Sequence, residues 1–245
     1  LETGAAPKAD QPMNIRGLSL ANGMSMADID RRNNLVKRYD TAFGSFANED
    51  KVLSGMDEFS QKAYEMMRSS RTREAFDLTR EPQAISGLFE DGNFSQSCLL
   101  ATRLVEAGVR LVSIQFGGWD THRDNFNRLK DTNLPNLDDG LAGLFNALDS
   151  KGLFESTIVF VTGEFGRTPK INQRGGRDHY PRAMFCLLAG GGMEGGQVVG
   201  ASDAMGGGPR DRVISPDDVA ATFYHALGID HTKEYHTPTG RPVMI

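Results

Sequence analysis

Three short apolar runs, each cut off by glycine, constrain this chain more than any other feature. Val109–Phe116 (VRLVSIQF) stops at Gly117-Gly118, Thr157–Thr162 (TIVFVT) at Gly163, and Ala183–Ala189 (AMFCLLA) at Gly190-Gly191-Gly192. Short β-branched and apolar runs bounded in this way suit buried strands. Between the first two, Leu137, Leu141, Leu144, Phe145 and Leu148 recur at helical spacing within Leu134–Leu153. Beyond the third, Gln197–Val199 is a further, short strand candidate. Ser215-Pro216-Asp217-Asp218 then opens a helix, with serine as N-cap, proline in the first turn and acids at the positive dipole end. That helix turns Val219, Phe223 and Leu227 inward and stops at Gly228. The order strand, helix, strand, strand, helix predicts an α/β fold. Three or four strands make a small sheet with exposed edges.

The residues before Val109 read differently. An irregular lead-in over residues 1–27 holds only a weak strand candidate, Asn14–Leu20. Helical patterns follow: one beginning at Ser25–Asp28 and carrying Leu35, Tyr39, Ala42, Phe43 and Phe46, and a second over about Asp50 to Ser69 with Met56, Phe59, Ala63, Met66 and Met67 on one face. A methionine stripe at that spacing is expected to be core rather than a soft-metal site. A shorter helix around Thr72–Leu78 ends before Pro82, and another covers Phe94–Ala107 with Gly108 as its stop. The expected organisation is a mainly helical region over residues 1–108, acting as a lid or subdomain, and an α/β portion over 109–245 ending in an extended tail from His231.

Composition narrows the function classes. The formal net charge of −5, without a basic stripe, argues against nucleic acid as partner. No apolar run is long enough for a membrane span, and no signal peptide is visible. The chain opens Leu1-Glu2-Thr3-Gly4 without a methionine. Cys98 and Cys186 sit among apolar neighbours and read as free buried thiols. Gly190–Gly192 and Gly206–Gly208 fit neither a P-loop nor a dinucleotide fingerprint and read as tight turns, and no G-x-S-x-G elbow supplies a nucleophile.

The chemistry-bearing residues sit where the strands end, as open α/β sheets present them. Asp120-x-His122 follows the first run; in an extended segment alternate residues point the same way, so carboxylate and imidazole can converge on a divalent ion. The plain alternative is a turn-capping Asp120 and a surface His122. Glu164 follows the second run as ligand or base, or as the ion-pair partner of Arg167. Arg167 is either the other half of that pair or a bidentate clamp for an oxyanion. Asp178-His179 lies in a Gly- and Arg-rich loop before the third run, where Arg177–Asp178 could be a loop-fixing ion pair. Three loops that each offer an acid or histidine point to one site more strongly than any alone.

At GGWDTHRDNF (Gly117–Phe126), VFVTGEFGRTP (Val159–Pro169) and GRDHYP (Gly176–Pro181) the chain resembles the domain-of-unknown-function family 1501, whose members belong to the alkaline phosphatase and sulfatase superfamily. The similarity extends to TREP at Thr79–Pro82, LVEAGVRLV at Leu104–Val112, LLAGGGMEGGQVVGASD at Leu187–Asp203 and ATFYHALGID at Ala221–Asp230. The resemblance implies an alkaline-phosphatase-like sandwich with an incomplete sheet and a metal-dependent hydrolase of phosphate or sulfate esters. It implies Asp120, His122 and His179 as ligands of a divalent metal, zinc first, with calcium or magnesium as alternatives. Glu164 becomes a further ligand or base and Arg167 the anion clamp. The substrate expected is a small-molecule or glycan ester, and the location periplasmic or otherwise exported. The sequence departs from the superfamily at Phe165, which replaces the histidine of an Asp-His-Gly motif and cannot coordinate metal. The Asp-to-His spacing is also shorter than in alkaline phosphatases. Family members usually carry a twin-arginine export signal and a strand ending like G-G-P-S-H-x-D-T near the nucleophile, and neither is present here. The expectation is therefore a C-terminal portion of a longer protein, inactive as it stands. The alternative is a non-catalytic exported binding or surface protein that keeps the fold.

Overall fold

The computed structural model describes residues 7–8, 23–43 and 51–244. The Asn14–Leu20 strand candidate and Phe46 lie outside them. The chain divides into two compact units, Leu1–Ile114 and Gln115–Ile245. Among the described residues no helix is long and apolar enough to cross a membrane.

Helices build the first unit: α1 (Met26–Phe43), α2 (Lys51–Arg68), α3 (Ser70–Ala75), α4 (Gln83–Ser86) and α5 (Asn93–Glu106), with a 3₁₀ turn at Leu78–Arg80. Its core gathers on α5, where Cys98, Leu99, Leu100, Ala101 and Leu104 are buried with Phe76, Leu78 and Phe89. Burial pushes the Cys98 thiol up to about 12, so it behaves as a small hydrophobe. Gly108, with φ +93, ends α5, and Val109 N–H closes back on the Leu104 carbonyl at 2.9 Å. Glycine reaches that left-handed backbone without a Cβ penalty, which is why it marks the stop. On the methionine face of α2, Met56 lies outside the residues whose burial is described, while Phe59, Ala63 and Met66 are exposed rather than core and Met67 is half-buried. Polar contacts hold α2 to α1 instead, Tyr64 and Arg68 both donating to Asp30 Oδ1.

Arginines cross-cap two helices of this unit. Arg71 donates to the Ala107 carbonyl at the end of α5, and Arg103 to the Glu74 and Ala75 carbonyls at the end of α3. Cations placed there satisfy carbonyls that have no intrahelical partner. Arg103 also pairs with the fully buried Glu81 of the TREP segment.

The second unit is mixed α/β. Short α6 (Asn125–Arg128) runs through a π turn, Leu129–Asn133, into α7 (Leu134–Ser150), whose Leu144, Ala147 and Leu148 are buried. Four separate two-stranded antiparallel ladders follow: β1 (Ile158–Thr162) with β4 (Cys186–Gly190), β2 (Gly166–Arg167) with β3 (His179–Tyr180), β5 (Ala201–Ser202) with β6 (Pro209–Asp211), and β7 (Glu234–His236) with β8 (Pro242–Met244). Helix α8 (Pro216–Ala226) starts in a complete capping box between Ser215 and Asp218. Its Phe223 ring meets Phe160 of β1, centroids 5.6 Å apart.

Three sequence expectations change here. Val109–Phe116 forms no strand and belongs to no ladder among the described residues, although Val112, Ile114 and Phe116 are half-buried and the residues between them exposed. It has the alternation of a strand without a hydrogen-bonding neighbour. Gln197–Val199 is irregular, and the strand lies just beyond it at Ala201–Ser202. The tail folds back as the β7–β8 hairpin rather than running out extended.

Candidate metal centre

Two loops of the second unit make the site, and the backbone locks them together. The β2–β3 connection closes on itself through Thr168 N–H to the Asp178 carbonyl (2.9 Å) and Asn172 N–H to the Gly176 carbonyl (2.9 Å). It then grips the segment after Trp119: Arg177 N–H donates to the Thr121 carbonyl, Asp124 N–H to Arg174 and Asn125 N–H to Gly175, at 3.0–3.2 Å. Thr121 and Asn125 are buried and bonded to each other. Gly176 makes this approach possible, since a Cβ there would lie 2.1 Å from both the carbonyl carbon and the oxygen of His122. Antiparallel β2 and β3 place Arg167 directly opposite His179.

Asp120, His122 and His179 converge, as the paired loops require. Asp120 Oδ1 lies 3.0 Å from His179 Nε2 and 3.1 Å from His122 Nε2, and the two Nε2 atoms are 3.2 Å apart. Metal–ligand bonds of about 2.0–2.2 Å put neighbouring atoms of a tetrahedral shell about 3.3–3.5 Å apart. The three atoms stand only slightly closer than that, so the donor set fits a divalent ion of zinc's size. The trio is also open: the Asp120 side chain is 66% exposed and that of His179 51%.

A second layer fixes the ligands. His122 Nδ1 is 2.7 Å from Asp178 Oδ1. A carboxylate only accepts, so with a metal ion on Nε2 the proton of neutral His122 would sit on Nδ1, toward Asp178. Asn172 Nδ2 donates to Asp178 Oδ1 (3.1 Å) and to the His122 carbonyl (3.0 Å). The bond from His122, then that from Asn172, holds the Asp178 carboxyl below the usual carboxylate range. The His179 ring instead packs on Phe165, centroids 4.4 Å apart and planes tilted by 42°.

Arg167 and Glu164 part company. Arg167 Nη2 donates to Asp120 Oδ1 at 2.6 Å, while Glu164 is exposed and has no ion-pair partner among the described residues. The bond from Arg167, then that from His179, lowers the Asp120 carboxyl to about 2. Arg177 and Asp178 do not pair: Arg177 Nη1 donates to the Thr168 and Pro169 carbonyls, each at 2.7 Å, and its guanidinium lies over Phe126. His225 and His231 meet edge to face, centroids 6.4 Å apart. Sequence reasoning passed over Asp178 and Asn172 as supports of His122; the signal was the carboxylate directly beside His179. No curated protein and no solved structure matches the chain. Residues 2–245 match the family described as "Protein of unknown function (DUF1501)", and the chain belongs to that family.

Proposed function

We propose that this chain carries the metal centre of an exported hydrolase of phosphate or sulfate esters, Asp120, His122 and His179 holding a divalent ion, zinc first. The observation that carries the reading is an open three-ligand set with a guanidinium at its edge. Structural zinc sites close with four protein ligands, whereas catalytic ones keep a position free. A bound divalent ion supplies Lewis-acid polarisation of the ester oxygen and an acidified water or nucleophile. Asp178 and Asn172 keep His122 in the ligating tautomer, Phe165 steadies the His179 ring, and Arg167 offers a planar donor pair to the ester's anionic oxygens. Glu164, exposed two residues past β1, is the candidate proton acceptor or further ligand.

Equilibrium dialysis against zinc followed by elemental analysis tests the site: one ion per chain is expected, and none in D120A/H122A. Hydrolysis of p-nitrophenyl phosphate or sulfate that survived in the double variant would sink the assignment. A second reading, a non-catalytic exported protein that keeps the fold, draws support from Phe165, an aromatic ring against His179 where the superfamily places a ligand. Stoichiometric zinc with no ester hydrolysis by the intact protein would favour it.

A further inference from the structure

Asp120 Oδ1 is contested. The oxygen that lies within 3.1 Å of both imidazole Nε2 atoms also accepts the Arg167 Nη2 bond, at 2.6 Å. Beyond that bond, among the described residues the Arg167 guanidinium reaches the Arg177 carbonyl, 3.3 Å from Nη1, and the Phe165 ring, 5.9 Å from its central carbon. We propose that Arg167 is a placeholder cation: it neutralises the metal-binding oxygen of Asp120 until a divalent ion displaces it, and the displaced guanidinium then engages the anionic substrate. This inference rests on the metal-centre reading above.

The electrostatics favour exchange over coexistence. Two cations bonded to one carboxylate oxygen repel across a few ångströms, and an exposed carboxylate gains little by holding both. The backbone need not move, because the β2–β3 register and the Thr168–Asp178 bond pin the strand that carries Arg167. A change of side-chain rotamer suffices. Arg177 does not compete for the role, since its guanidinium is already committed to the Thr168 and Pro169 carbonyls. Metal and anion binding are then coupled: the ion releases Arg167 for the anion, and by reciprocity the anion tightens the ion by the same factor.

Calorimetric titration of zinc into the chain, with and without sulfate, tests the exchange. Saturating sulfate is expected to raise the zinc affinity of the unaltered chain at least about 5-fold, the lower end of ordinary coupling. R167Q, checked for unchanged circular dichroism, is expected to bind zinc alone about 10-fold tighter and to lose the sulfate effect. Zinc binding by R167Q equal to or weaker than that of the unaltered chain overturns the exchange and makes Arg167 a support for a ligating Asp120. The sulfate comparison needs no variant, and zinc affinity indifferent to sulfate overturns the proposal as well. An unaltered chain that binds no zinc at all defeats the metal-centre reading itself, which is a different result from zinc binding without exchange.

Discussion

Asp178 sets the quality of the site without touching its centre. Its carboxylate is the acceptor that holds the proton of His122 on Nδ1, and carboxylates so placed are worth about 10–100-fold in metal affinity. D178A is therefore expected to weaken zinc binding by that factor in chelator competition, while D178N, which can still accept through its amide oxygen, loses less. Asp120 supplies the acid dependence. Its folded pKa, about 2, lies below the ordinary value of about 3.9. The stabilisation it contributes is therefore full above about pH 4 and lost as pH falls through 2. The Asp120 carboxyl carbon resonance is expected to titrate near 2 in the unaltered chain and to move back toward the ordinary value in R167Q. The Asp120-x-His122 spacing and the charged strand ends were legible from sequence because they are local. The partner of Arg167 was not: Glu164 is three residues away and Asp120 forty-seven, and only the antiparallel pairing of Arg167 with His179 brings that guanidinium to Asp120.

Among the elements, α5 carries the first unit, and Arg103 is its most exacting side chain. It reaches the Glu74 and Ala75 carbonyls at the end of α3 and the fully buried carboxylate of Glu81. Removing the cation alone takes the Arg103 charge away from a buried carboxylate, and breaking a buried pair in this way costs about 3–5 kcal/mol. R103M is thus expected to lower the urea midpoint sharply, and E81Q, which leaves a neutral amide, by less. The double variant R103M/E81L recovers most of the loss but not all, because the α3 carbonyls stay uncapped at about 1 kcal/mol each. A double variant no more stable than R103M would remove the buried-charge account. The helix boundaries were readable because capping is a property of a few adjacent residues: Gly108 stops α5, and Ser215 with Asp218 starts α8. Ladders were harder. Val109–Phe116 has strand composition, but pairing depends on a distant neighbour, and among the described residues none is provided.

At the scale of the whole chain, helices of the first unit find a core while much of the second unit's apolar surface stays in water. No residue of β1 or α8 is buried, and the β1–β4 ladder has only two strands. Such a ladder is marginal alone, because among the described residues no further strand pairs with either edge. On the same unit, Phe185 is 81% exposed and Val198 96%, with Met205 and Val213 exposed too. Isolated exposed apolar residues are ordinary, but this many on a unit of two-stranded ladders favour association. The chain is therefore expected to enhance the fluorescence of 1-anilinonaphthalene-8-sulfonate without denaturant, and to associate as concentration rises in light scattering. The substitutions F185S and V198S change neither a ladder pair nor a site residue, so together they should lower both signals and leave zinc stoichiometry at one per chain. A chain that stays monomeric at every concentration and binds no dye would mean that these side chains are covered in solution. The metal centre would be unaffected by that result, since its loops are held by backbone bonds between residues 121–125 and 174–177 rather than by the β1–β4 ladder.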